Sequence, residues 1–134
     1  MIQVRYLECN ESNFKIFNGV QVITLTELTG TIIKEVERSC IKWVMDKKQP
    51  AKIYLQKGDK VPAGYNEAVE VVFKTKTGHK CKISFSFPQT KKYLEYKSQL
   101  ENAGKNIRKV MTTMTPIQSG YNSVTYPNIN FQEV

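Results

Sequence analysis

The sequence holds one histidine, His79, and only two aspartates, Asp46 and Asp59, among 134 residues. That scarcity excludes a multi-histidine metal site and leaves few groups for acid–base chemistry. The three cysteines, Cys9, Cys40 and Cys81, lie far apart and include no C-x-x-C pair. They cannot build a disulfide framework, and they read as reduced thiols of a cytoplasmic protein. No run approaches the roughly 18 consecutive apolar residues of a membrane span. The stretch Met1-Ile2-Gln3-Val4-Arg5-Tyr6-Leu7 lacks the apolar core and cleavage site of a signal peptide. The glycine-rich phosphate loops are absent, and no Ser-His-Asp or Cys-His set stands out. The sequence therefore assigns no catalytic residue, cofactor or metal, and the expectation is a protein that is not an enzyme.

What the chain does carry is positive charge. Lysine and arginine number 20 against 12 acidic residues, a net +8. The excess is local. Residues 1–50 are net +1, residues 51–87 net +4, residues 88–114 net +4, and the last twenty net −1. A field concentrated in this way attracts phosphates, and nearby aromatics can stack on bases.

The pattern predicts an α+β domain over residues 1–114, followed by an extended or partly disordered tail over 115–134. The expected order is β-β-β-α-β-β-β-α, with an antiparallel sheet of five to six strands packed by two helices. Strands are expected over 2–7, 14–17 and 20–23, the latter two joined by an Asn18-Gly19 hairpin turn. Thr24 and Glu27 have capping-box spacing, and Leu25, Leu28, Ile32, Val36, Cys40 and Trp43 recur at steps of three and four. These predict a first helix, ending before Pro50. Strands follow over 52–56, 68–76 and 80–87, the last two forming a hairpin around Thr77-Gly78-His79. In that hairpin Val69, Val71 and Phe73 share a face, as do Cys81, Ile83, Phe85 and Phe87, while lysines alternate onto the other face. From Pro88 a second helix is expected to about Thr113. Its seam would be Tyr93, Tyr96, Leu100, Ala103, Ile107, Val110 and Met114, a heptad stripe able to pair helices in a homo-oligomer.

The candidate phosphate-binding set is Lys74, Lys76, Lys80 and Lys82 on the hairpin, with Lys91, Lys92, Lys97, Lys105, Arg108 and Lys109 on the second helix. Tyr93 and Tyr96 are the candidate stacking residues. Lys91 and Lys92 fall in the first turn, where backbone N–H groups also favour anions. From Thr24 the expected order of helix, three strands and helix resembles that of double-stranded-RNA-binding domains, and Lys91-Lys92 opens the last helix where that family keeps phosphate-contacting lysines. The likeness spans residues 24–113 and is one of topology. Tyr93-Leu94-Glu95-Tyr96 stands where the family has small and basic residues, and the N-terminal hairpin is additional.

Three functions follow as expectations. The first is a non-enzymatic binder of a phosphate-bearing ligand, either nucleic acid or a small nucleotide. The second is an interaction or inhibitor protein acting through the seam and the aromatic tail, of the kind found among phage or mobile-element accessory proteins. The third is a small enzyme whose site carries no recognisable motif.

Overall fold

The computed structural model describes residues 5–17, 22–42, 51–56, 58–121 and 123–134. Its strands are β1 (Arg5–Cys9), β2 (Phe14–Phe17), β3 (Val22–Leu25), β4 (Leu28–Lys42), β5 (Ala51–Leu55), β6 (Asn66–Thr75), β7 (Lys80–Ser84), β8 (Thr112–Tyr121) and β9 (Val124–Glu133). One α-helix, α1 (Phe87–Asn102), and a 3-10 turn at Ile107–Lys109 lie between β7 and β8. The nine strands form a single mixed sheet in the order β3-β2-β1-β7-β6-β4-β8-β9, with β5 added to β4. The β1–β7 pair is parallel and the others are antiparallel. This mostly-β architecture, with one helix in a curled sheet, replaces the expected two-helix α+β domain.

The first expected helix is the long strand β4. Leu28, Ile32, Val36 and Cys40 are four residues apart, a spacing that satisfies a helical stripe and a strand face equally. The chemistry between them decides for the strand. Thr29, Thr31, Ile32, Ile33 and Val36 are β-branched and fit a pleated surface better than a helix. Strand β4 runs along β6 from Gly30 to Ile41. Its other edge pairs with β8 at Leu28–Gly30 and with β5 at Arg38–Lys42. The double-stranded-RNA-binding order falls with that helix. Asn18-Gly19 and residues 43–50, which hold the expected end of that helix, lie outside the described residues.

The β6–β7 hairpin follows the sequence pattern as far as Phe85, but β7 ends at Ser84, and Phe87, expected on the core face, is exposed at the start of α1. Val69, Val71, Phe73, Cys81, Ile83 and Phe85 are buried on the inner face, and Gly78 turns with φ +92°. Helix α1 starts at a capping box, with Ser86 as N-cap and Gln89 reaching back to the Ser86 N–H. It stops at Asn102, well short of Thr113. Gly104 takes φ +75°, the Lys105 N–H bonds to the Leu100 carbonyl and the Gly104 N–H to that of Glu101. These are the two bonds of a glycine-terminated Schellman end. The expected seam is thereby divided. Tyr93, Tyr96 and Leu100 are on the helix, Ile107 is in the 3-10 turn, and Met114 is on β8, all five buried in the chain's own core. Ala103 is exposed and Val110 half-buried. A seam spent on one chain's core is not a surface for a second copy.

Residues 115–134 form most of the β8–β9 hairpin rather than a loose tail. Pro116 and Pro127 fit because the β8 pairing with β4 ends at Met114 and β9 is a sheet edge. The Pro127 carbonyl accepts from Gln89 Nε2 of the helix at 3.2 Å. Phe131 inserts among Phe85, Tyr93 and Tyr96, stacking on Tyr96 at 5.7 Å and meeting Phe85 edge-on at 5.6 Å. The helix touches β6 in mid-sheet and β9 at the sheet's end, so the sheet must curl round it. Cys9 Sγ of β1 comes within 3.7 Å of the Asn128 carbonyl of β9. Among the described residues no helix is long and apolar enough to cross a membrane.

Candidate functional site

Two register shifts in β4 set the polar geometry of the inner face. Pairing with β6 shifts between Ile32 and Lys34 and again between Glu35 and Glu37. A bulge inserts one residue and re-aims those that follow. Glu35 consequently stands opposite Val71 and Arg38 opposite Val69, both inner-face partners. Two charged side chains of β4 thus enter the inner face, joining Glu67 of β6, beside α1. Tyr93, 1% exposed, donates its hydroxyl to Glu35 Oε1 at 2.6 Å, and Lys97 Nζ donates to the same oxygen at 2.9 Å. Arg38 Nε pairs with Glu67 Oε1 at 2.8 Å.

Burial by itself would raise the Glu35 carboxyl. The hydrogen bonds from Tyr93 and Lys97, with the charges of Lys97 and Arg38, outweigh burial and hold it below the ordinary carboxylate value. Burial first, and then the Glu35 hydrogen bond, push the Tyr93 hydroxyl far up, so Tyr93 stays a neutral donor. A depressed carboxyl stabilises the fold above its unfolded pKa and loses that contribution as pH falls through the folded one. Wild-type stability should therefore drop as pH falls below about 4.5, and Glu35→Gln should drop less steeply. At pH 7 the variant should be less stable by about 1 kcal/mol, a charge-assisted bond discounted for partial exposure. Urea titrations from pH 7 to about pH 3 check this, and parallel pH profiles for the two proteins would refute it.

Around this cluster lies a cavity of about 270 Å³ bounded by Ile32, Tyr93, Lys97, Lys105 and Arg108. It adjoins a larger polar cleft that shares Glu35, Lys97 and Arg108 and extends to Arg38 and Glu67. A separate apolar groove of about 1230 Å³ lies between β1, the start of α1 and β9, with Phe87 and Val124 in its walls. It has one cation, Lys91, and one carboxylate, Glu8, in its lining, so it offers no preference for charge. The Cys9 thiol at this groove is pushed up to about 11 by burial, which makes it a poor nucleophile at neutral pH.

The outer face carries the hairpin lysines. Lys74 and Lys80 stand directly opposite each other across β6 and β7. In the next row Lys34, Val72 and Lys82 align across β4, β6 and β7. Rows two residues apart on a strand are separated by about 7 Å. Val72 is buried although it lies on this face, as expected where lysine stems cover an apolar side chain. Beyond it, Glu37 and Glu70 form an acidic row that borders the patch. Among the described residues Glu37 pairs with Lys52 and Glu70 accepts from Ser84, and none of the four patch lysines is in an ion pair.

The structure therefore divides the expected phosphate-binding set. Lys74, Lys80 and Lys82 share the outer face, joined by Lys34, which the sequence pattern had not singled out. Lys76 is exposed at the hairpin turn. Lys97, Lys105 and Arg108 line the inner cavity. Lys91 borders the apolar groove, and Lys92 and Lys109 are exposed singly. Tyr93 and Tyr96 cannot stack on a ligand's bases, because both rings are buried and both hydroxyls are bonded, Tyr96 to Thr112 Oγ1 at 2.7 Å. Among the described residues no group of three or more His, Cys, Asp or Glu side chains could hold a metal ion. No protein-family model, curated protein or solved structure matches this chain.

Proposed function

We propose that the protein binds a phosphate-bearing polyanion on the outer face of β4, β6 and β7, without catalysing a reaction on it. The observation that carries this reading is the Lys74–Lys80 cross-strand pair with Lys34 and Lys82 in the adjoining row. Like charges directly opposite on a sheet are destabilising by themselves. A run of phosphates laid across the rows turns that cost into attraction and releases counterions. The surface is an open strand face rather than a cavity, which favours an extended chain of phosphates over a small nucleotide. The Cys9 and Cys40 thiols are free, which supports a reducing compartment such as the cytoplasm for this role.

Fluorescence anisotropy with single-stranded and duplex oligonucleotides and with inorganic polyphosphate, across a salt series, tests the reading. Four lysine contacts predict a slope of log K on log salt near −3 for a single strand. Replacing Lys74 and Lys80 with glutamine should reduce that slope by about 1.4, at about 0.7 per lost contact. The reading fails if none of the three probes binds at about 50 mM salt, or if the double variant keeps the wild-type slope.

A further inference from the structure

We propose that the polyanion bound on the outer face is single-stranded nucleic acid, with a base stacked on Phe17 and the neighbouring phosphates on the lysines. This rests on the outer-face reading given above and adds the class of ligand to it. The row that holds Lys34, Val72 and Lys82 continues past β7. Lys82 is in register with Tyr6 of β1, Tyr6 with Phe17 of β2, and Phe17 with Val22 of β3. One cross-strand row therefore has cations at one end and an aromatic–aliphatic pair at the other. The alternation of β2 fixes the face. Phe14 and Ile16 are buried, whereas Lys15 and Phe17 are exposed. Phe17 thus stands on the side opposite the core, as Lys82 does between buried Cys81 and Ile83. Phe17 is 59% exposed and Val22 54%, so the pair adds little to the core and leaves an apolar surface beside the lysines.

Neighbouring strands lie 4.7–4.9 Å apart, which puts Phe17, two strands away, about 10 Å from Lys82. A nucleotide whose phosphate rests on an extended lysine side chain brings its base over the ring across that span. The acidic row of Glu37 and Glu70 borders the lysines on one side and repels phosphates. The bound strand therefore leaves the lysine rows towards Phe17 and not towards those carboxylates. Two further points select a single strand. Its base faces are open to an aromatic ring, whereas a duplex hides them in its own stack and inorganic polyphosphate has none. The sheet curls round α1, so its outer face is convex. A flexible strand follows a convex face, while a duplex, stiff over roughly 150 base pairs, meets it along a short stretch only.

The test compares a thymidine oligonucleotide with an abasic oligonucleotide of the same length, by fluorescence anisotropy on the intact protein across a salt series. The two probes carry the same phosphates and differ only in their bases. The wild-type protein should bind the thymidine strand about tenfold more tightly, or about 1.4 kcal/mol, within the range for one stacked base. Both probes should give the same salt slope, because the phosphate contacts are the same. Phe17→Leu, which stays apolar but loses the ring, should lower the thymidine strand to the abasic level and leave the abasic strand unchanged. Phe17→Trp should restore the preference. Phe17 is exposed, so the leucine variant should keep the wild-type urea midpoint, which separates lost stacking from lost folding. The proposal is overturned if wild type binds both strands equally, if Phe17→Leu keeps the preference, or if it weakens both strands alike. Equal binding of the two strands with the expected slope leaves the outer-face reading standing, whereas binding of neither at about 50 mM salt removes both.

Discussion

Replacing Gly30 with alanine is expected to destabilise the fold by about 3 kcal/mol, the upper end of the usual overpacking cost. Gly30 is the residue at which β4 pairs with Thr75 of β6 and Thr112 of β8 at once. An added Cβ would collide with the Lys74 carbonyl oxygen, and would lie 2.8 Å from both Thr75 Cα and Phe73 Cε1. Two of those three atoms are backbone of the central strand β6, so the contact is not relieved by a side-chain rotation. Removing a glycine also restricts the unfolded chain, a gain of about 0.4–1 kcal/mol. The collision outweighs that gain, because the sheet is paired on both sides of the residue. Urea unfolding should show a lower midpoint with an unchanged slope. A variant within about 0.5 kcal/mol of wild type, the usual range for harmless substitutions, would show that the β4–β6 approach is looser than described.

The second large effect is expected at Phe131. Its ring sits among Phe85, Tyr93 and Tyr96, with centroids 5.6, 6.1 and 5.7 Å away. Phe131→Ala should cost about 3 kcal/mol, the low end for deleting a phenyl ring because Phe131 is only partly buried. Phe131→Leu, which keeps much of the volume but loses the ring contacts, should cost about half as much. Near-ultraviolet circular dichroism should lose intensity in the alanine variant, since three tyrosine and phenylalanine neighbours lose their packing partner. An equilibrium loss below about 1 kcal/mol, less than a well-packed side chain contributes, would mean that the C-terminal strand does not carry the core.

The Phe131 prediction depends on an element that the sequence pattern concealed. Residues 115–134 contain asparagine, serine, glycine and two prolines and lack basic side chains, a composition that resembles a loose tail. Yet Met114 and Ile129 are wholly buried, and the strand partners are supplied by each other and by β4. No local signal reports a partner more than eighty residues away, such as Thr29 against Thr113. The start of α1 was better marked, by Pro88, and so was the alternation of Val69 to Phe85. The end of α1 was not legible, because the seam beyond Gly104 has the right spacing to continue a helix.

The candidate sites divide in the same way. That positive charge collects between residues 51 and 114 is a property of the sequence, and so is the alternation that puts Lys74, Lys80 and Lys82 on the face opposite the core. That Lys34 joins them depends on β4 being a strand. That Glu35 turns inward to meet Tyr93 and Lys97 depends on two bulges, which shift the inner-face sequence of β4 to Ile32, Glu35, Arg38 and Cys40. Steps of three in a bulged strand look helical when read along the chain. The sequence by itself determined where the charge, the β6–β7 hairpin and the start of the helix lie, because each rests on neighbours within a few residues. Only the tertiary structure decided the state of β4, the docking of β9 and the division of one basic set between an outer face and an inner cavity. Each of those depends on which distant strand lies alongside, and pairing between distant strands leaves little trace in local spacing.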